Sequence, residues 1–230
     1  MKKLRILFGM VALAAVMFTA CNDDSGAYVE QLYTNTQLET AIRACLRTSA
    51  DSAVNHLCVP DGYYSYNDSV YRIDYAGLQS SLFDTLRNHG AGDLCDSLVT
   101  YTNRLAENCG GQLLPILKSA IDSLEITDHQ KLKAEDGAIT HYFELFEYNV
   151  IKSAMQSPVS IRMNLFGVNE TWAEMLLTYY LYSDIPLNFD IQNYIVDKML
   201  EGVFEEMEIE EENIRTDPEH RTETTEPLAE

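Results

Sequence analysis

The sequence predicts an all-α protein, a multi-helix bundle carrying a small extended or hairpin insertion near residues 60–76. Three observations predict it. From Gln37 onward, apolar residues recur at helical spacing, the pattern of helices that bury one face. The breaks between these segments are short and rich in Gly, Pro, Asn and Asp, the residues that turns use. One stretch, residues 63–75, interrupts the period with tyrosines and β-branched residues, the composition of extended chain.

The first helix carries Leu38, Ile42, Cys45, Leu46, Ala53 and Leu57 on one face and runs to about His56. Thr36 is its expected N-cap, with Glu39 completing a capping box. Pro60-Asp61-Gly62 breaks it. Tyr63-Tyr64-Ser65-Tyr66 and Val70-Tyr71-Arg72-Ile73 then flank Asn67-Asp68-Ser69, which predicts a hairpin or extended loop lying against the helices. Leu78, Leu82, Phe83 and Leu86 mark the next helix, and Leu94, Leu98, Tyr101 and Leu105 the one after. Gly110-Gly111 breaks the chain before a helix bearing Leu113, Leu114, Leu117, Ile121 and Leu124. A short piece starts at Thr127-Asp128. A long segment from Asp136-Gly137 carries Ile139, Tyr142, Phe143, Phe146, Val150, Ile151 and Met155 inward. Pro158 lacks the N–H that a helix interior uses and is expected to kink or divide this segment. Asn169 is the expected cap of a helix with Trp172, Met175, Leu176 and Tyr179. Asp190 caps the last helix, which turns Ile191, Tyr194, Ile195, Met199, Val203, Phe204 and Met207 inward and stops at Thr216-Asp217-Pro218.

The N-terminus sets the organisation of the rest. Met1-Lys2-Lys3-Leu4-Arg5, an apolar block from Ile6 to Phe18 and Thr19-Ala20-Cys21 have the layout of a secretory signal. The apolar block is too short for a transmembrane helix. Phe18-Thr19-Ala20-Cys21 resembles a bacterial lipobox, in which Cys21 is acylated and becomes the new N-terminus. The expected organisation is a lipoprotein signal peptide at 1–20, an acylated tether at 21–35, a helical domain at 36–216 and a charged flexible tail at 217–230. Roughly two hundred residues after the signal suffice for one domain with a core.

Sixteen Lys and Arg against 36 Asp and Glu give a net charge of −20. Nucleic acid is excluded as a partner, since phosphate binding needs a basic footprint. Attraction to anionic lipid headgroups is disfavoured for the same reason, so the lipid on Cys21 is the expected membrane attachment, through several acyl chains. Asn22-Asp23-Asp24 resembles the acidic export signal of Bacteroidetes surface lipoproteins. The expected location is the outer membrane, lipid-anchored, facing the periplasm or the cell surface.

Cys45, Cys58, Cys95 and Cys109 would lie in an oxidising compartment, where an even number predicts bridges. Cys45 and Cys58 on one helix sit roughly 20 Å apart, beyond disulfide reach, and Cys95 and Cys109 likewise. Bridges therefore join the two helices. Antiparallel packing gives Cys45–Cys109 with Cys58–Cys95, the expected pairing. Parallel packing gives Cys45–Cys95 with Cys58–Cys109. The plainer alternative is four buried thiols serving as small apolar residues.

No catalytic motif stands out: Gly-x-Ser-x-Gly, Walker, His-Glu-x-x-His and Rossmann patterns are missing from the sequence. His141 and Glu144 form one His-x-x-Glu pair where a carboxylate-bridged di-metal bundle needs two, and no metal or other cofactor is expected. Glu205-Glu206, Glu208 and Glu210-Glu211-Glu212 lack the spacing of a calcium loop and read as a solvated face, poorly placed for the helix dipole. Tyr63, Tyr64, Tyr66 and Tyr71 form a possible surface for sugars or peptides, or else pack their rings on the bundle. Asp68-Ser69-Val70 is the best match to an Asp-Ser/Thr-apolar O-glycosylation acceptor, at Ser69.

Several blocks together resemble the bacterial family called domain of unknown function 4197, over roughly Gln37 to Thr222. They are Pro60-Asp61-Gly62-Tyr63, Ala138 through Tyr142-Phe143, and Trp172 with Leu176-Leu177. The most specific is C-terminal: Tyr194, Lys198-Met199-Leu200-Glu201-Gly202-Val203-Phe204, Glu210-Glu211-Glu212, Ile214-Arg215, Pro218 and Arg221-Thr222. The resemblance implies a helical, often exported envelope protein with no assigned activity, so no catalytic residues carry over. The four cysteines and the tyrosine-rich insertion depart from the family pattern. The sequence thus points to a non-enzymatic, lipid-anchored module binding an envelope protein, peptide or glycan. The alternatives are a hydrolase-type enzyme with a site assembled from distant residues, and a structural envelope lipoprotein.

Overall fold

The computed structural model describes residues 33–64 and 71–229, so Cys21, Tyr66 and Ser69 lie outside the described residues. Among the described residues there are eight α-helices and no strand, an all-α bundle. They are α1 Asn35–Leu57, α2 Asp84–Asn88, α3 Gly92–Glu107, α4 Gly110–Ser123, α5 His129–Ala134, α6 Ala138–Leu165, α7 Val168–Tyr179 and α8 Ile191–Thr216. Helix α1 packs along α8 and also touches α4 and α5. Helix α6 also packs along α8, and α3 pairs with α7.

The helical period places the core of α1 correctly: Leu38, Ile42, Cys45, Leu46, Ala53 and Leu57 are all buried. Its start lies two residues earlier than expected. Thr34, not Thr36, is the N-cap, accepting from Gln37 N, and Gln37 returns the bond through its side chain. Thr34-x-x-Gln37 and Thr36-x-x-Glu39 are overlapping capping boxes, and the earlier one lets the helix gain a half turn. Asp190 caps α8 as expected, accepting from Asn193 N at 3.0 Å. Helix α7 is instead preceded by Gly167 at φ 77°, one residue before its first turn, and Asn169 lies inside it.

Pro158 does not divide α6, which runs through it for 28 residues. One missing N–H removes one bond from the ladder, while Val159 and Met163 remain buried and hold the helix on the bundle. Phe146 and Val150 are more than half exposed, contrary to their expected inward placement, because α6 is covered on only part of its circumference. The segment before α2 is also less regular than its apolar spacing predicts. Ala76–Leu78 forms a 3₁₀ turn and Gln79–Phe83 a π-helical turn.

The insertion has no strand at 63–64 or 71–75, correcting the hairpin expectation for its described part. The Asn103 side chain does the pairing instead. Its Oδ1 accepts from Ile73 N and its Nδ2 donates to Ile73 O, both at 3.0 Å, as a strand edge would. Tyr63 is fully buried and donates to Met199 O at 2.9 Å, and Tyr75 is fully buried beside Thr102 and Tyr194. A Cβ at Gly202 would stand 3.2 Å from Tyr71 and 3.5 Å from Tyr63, so this glycine lets the rings settle on α8. Tyr63 therefore belongs to the core and not to a ligand surface. Tyr64 is half-buried beneath the Arg104 and Arg72 guanidiniums.

The C-terminal stretch is not a flexible tail over its described residues. It folds back through a 3₁₀ turn, Glu226–Leu228, with Leu228 and Pro227 buried against α1. Its charged composition hides these two anchoring apolar residues.

Candidate functional site

A cavity of about 850 Å³ lies between α5, the first half of α6 and α8. Two buried α8 residues outside its lining, Glu211 and Arg215, hold the backbone beside it. Glu211 is fully buried and accepts from Ile139 N at 3.2 Å and Thr140 N at 2.7 Å, capping α6 from a distance. The cap is needed because the residue before α6 is Gly137, which has no side chain to supply one. Arg215 is also buried. It pairs with Glu211 at 2.8 Å and donates to Leu132 O and Lys133 O at 2.7 Å, satisfying the last carbonyls of α5. One ion pair thus closes the end of α5 and the start of α6, fixing the turn between them. Gly137 sits in that turn at φ 65°, and a Cβ there would stand 2.6 Å from Glu208 Oε1. The left-handed backbone favours glycine here, while the Glu208 carboxylate, at the end of an exposed side chain, could move aside.

The acidic run is therefore not one solvated face. Glu206 is buried against His56, with Oε2 to Nδ1 at 2.6 Å. Glu210 meets Ser52 at 3.2 Å and His220 at 3.1 Å. Glu211 is the α6 cap. Arg215 in the last turn offsets the unfavourable dipole position. The other side of α8 is different. Asp197, Glu201, Glu205 and Glu208, spaced four, four and three residues apart, form one stripe along the cavity. Asp128 and Glu135 at the two ends of α5, Asp136 in the turn that follows and Glu144 on α6 line the rest of it.

Eight carboxylates thus face one lysine, Lys131, and one histidine, His141. Asp197 is paired with Lys152 at 2.6 Å and receives the Tyr148 hydroxyl at 2.6 Å, and Glu201 is paired with Lys198. The other six make no ion pair among the described residues. Burial, followed by repulsion from Glu201, Glu206 and Glu208, raises the Glu205 carboxyl above its ordinary range. Burial and the bond to Asp197 raise the Tyr148 phenol. Tyr142, Leu145, Tyr148 and Phe204 supply apolar surface between the charges. Thr140 lies on the lining with a buried hydroxyl that has no hydrogen-bond partner. Among the described residues no three His, Cys, Asp or Glu side chains converge as metal ligands, so the charge is spread along the groove.

A family model described as a protein of unknown function (DUF4197) matches residues 32–225. The chain belongs to the DUF4197 family. No curated protein and no solved structure matches it. The C-terminal block that carries the DUF4197 resemblance now has a structural meaning. Gly202 admits the insertion's rings, while Glu211 and Arg215 hold the α5–α6 turn. Of the residues singled out from sequence, His141 and Glu144 both line the groove, which the acidic stripe of α8 completes. That stripe has a sequence signal, its helical spacing, but adjacent glutamates that point elsewhere conceal it.

The four cysteines among the described residues are free thiols. Cys45 lies against Ser49 on the side of α1 facing Glu211 and Arg215, and Cys95 Sγ rests 4.0 Å from Phe83 O. Cys58 instead abuts the start of α4 at Cys109, so the antiparallel pairing does not match the packing. Burial pushes Cys45 and Cys58 up to about 12, and Cys95 and Cys109 up to about 11. None of these four thiols is poised as a nucleophile at neutral pH.

Proposed function

We propose that this chain is a non-enzymatic, lipid-anchored binding module of the bacterial cell envelope, and that its acidic groove takes a short basic segment of a partner protein. The observation that carries this reading is the carboxylate excess around a cavity whose lining also includes Tyr142, Tyr148 and Phe204. Distributed negative charge suits several ammonium or guanidinium groups, and the rings suit the alkyl stems and cation–π contact. The volume lies in the range of ligand pockets.

Titration of a Lys/Arg-containing hexapeptide by calorimetry at low and at high salt tests it. Binding is expected to weaken with salt. Glu205→Gln/Glu208→Gln is expected to lose about tenfold in affinity, roughly 1.4 kcal/mol for two partly exposed charges. Affinity also falls as pH drops through the raised Glu205 value, because the neutral acid no longer attracts a cation. Equal binding of an acidic hexapeptide, or unchanged affinity in the double variant, overturns the reading.

The anchor is tested separately. Cys21→Ser is expected to release the protein from membranes on fractionation. No helix among the described residues is long and apolar enough to cross a membrane, and the net charge opposes adsorption to anionic lipid. A variant that stays membrane-bound at high salt argues against lipid anchoring.

A further inference from the structure

We propose that Cys58 and Cys109 form a structural disulfide when the chain folds in an oxidising compartment. Their location in such a compartment rests on the envelope reading above, whereas their ability to bridge rests on geometry alone. Cys58 caps the C-terminus of α1 and Cys109 the N-terminus of α4. Cys109 N donates to Ala106 O at 3.0 Å, and Cys58 Sγ rests 3.9 Å from the same oxygen. A Cβ at Gly110 would stand 2.7 Å from Cys58 Cβ and 3.4 Å from its sulfur, so only a glycine allows the two helix ends to come this close. The other two cysteines share no such neighbourhood: Cys45 faces Glu211 and Arg215, and Cys95 faces Phe83 and Arg87.

The chemistry is thiol–disulfide exchange with an external disulfide, either oxidised glutathione or the disulfide of an oxidoreductase. Cys58, half-buried, opens onto a shallow cleft beside Pro60, Tyr101 and Arg104, while Cys109 is fully buried. The Cys58 thiolate attacks the external disulfide, giving a mixed disulfide and one released thiol. Cys109 then gives up its proton and displaces the second thiol. Two protein thiols are oxidised, and the external disulfide is reduced to two thiols. Because burial suppresses both thiolates in the folded protein, the bridge closes during folding. The closed loop holds roughly fifty residues, which include the tyrosine-rich insertion, α2 and α3.

In the test, the full chain is reduced, denatured, refolded in an oxidised/reduced glutathione mixture, alkylated and peptide-mapped. A second sample is alkylated on extraction from bacterial envelopes. The expected result in both is one Cys58–Cys109 peptide with Cys45 and Cys95 alkylated. A reductant is then expected to lower the Tm by about 4–16 °C and to leave the Tm of Cys58→Ala/Cys109→Ala unchanged. Alkylation of both Cys58 and Cys109 after refolding, or recovery of either in another pair, overturns the proposal. A bridge in the refolded sample with Cys58 and Cys109 both alkylated in the extracted one upholds the ability to bridge and counts against folding in an oxidising compartment.

Discussion

Replacing Arg215 by methionine is expected to destabilise the protein by about 3–5 kcal/mol, the cost of leaving a buried charge without its partner. For a domain of this size that lowers the Tm by about 6–20 °C. Arg215 and Glu211 are 1% and 0% exposed, so neither charge recovers solvation when the other is removed. Methionine keeps much of the side-chain volume, which confines the loss to electrostatics and hydrogen bonds. It strands the Glu211 carboxylate and leaves Leu132 O and Lys133 O without their donor. Adding Glu211→Gln to Arg215→Met is expected to cost less than the sum of the single variants, since the second change removes the stranded charge. Glu211→Ala has a local signature as well: faster hydrogen exchange at Ile139 and Thr140, whose amides lose their acceptor. Urea unfolding decides the matter. A loss below about 1 kcal/mol for Arg215→Met is the behaviour of an exposed pair and is incompatible with this role.

Phe204→Ala is expected to cost about 3–5 kcal/mol. The ring is 4% exposed, meets the edge of Phe143 at 6.0 Å and lies 6.2 Å from Tyr148. Its removal leaves a cavity beneath the acidic groove, between α6 and α8, which rigid helices fill only in part. Phe204→Leu, keeping most of the volume, is expected to lose clearly less. If both variants unfold at the wild-type urea midpoint, this side chain is not part of the core. Because Phe204 also lines the groove, Phe204→Ala separates stability from binding: the carboxylates remain while the apolar wall recedes.

The helices, the inward faces of α1 and α8 and the Asp190 cap are legible in the sequence, because each rests on residues near one another in the chain. Apolar spacing determines which side of α1 is buried before any partner is known. It misleads at Phe146 and Val150, since periodicity marks a face and cannot say whether another helix covers it. At the insertion, tyrosines and β-branched residues signal extended chain but not what it pairs with: the partner of Ile73 is the Asn103 side chain, thirty residues away.

The candidate site belongs to tertiary structure almost entirely. Within one acidic run, Glu205 and Glu208 face the groove while Glu206, Glu210 and Glu211 meet His56, Ser52, His220 and Arg215. A single step along the helix, about 100° around its axis, separates the groove-facing Glu205 from the buried Glu206, and only the neighbouring helices say which is which. Glu211 and Arg215 are charged residues by composition, yet they are buried because two helix ends, seventy to eighty residues earlier in the chain, present amides and carbonyls that need partners. By itself the sequence determined the helical class, the family and most of the core, since those follow from local periodicity and a contiguous motif. The groove, the capping ion pair and the meeting of Cys58 with Cys109 were decided only when the fold brought distant backbone ends and side chains together, because pairings at that range leave no local pattern in the chain.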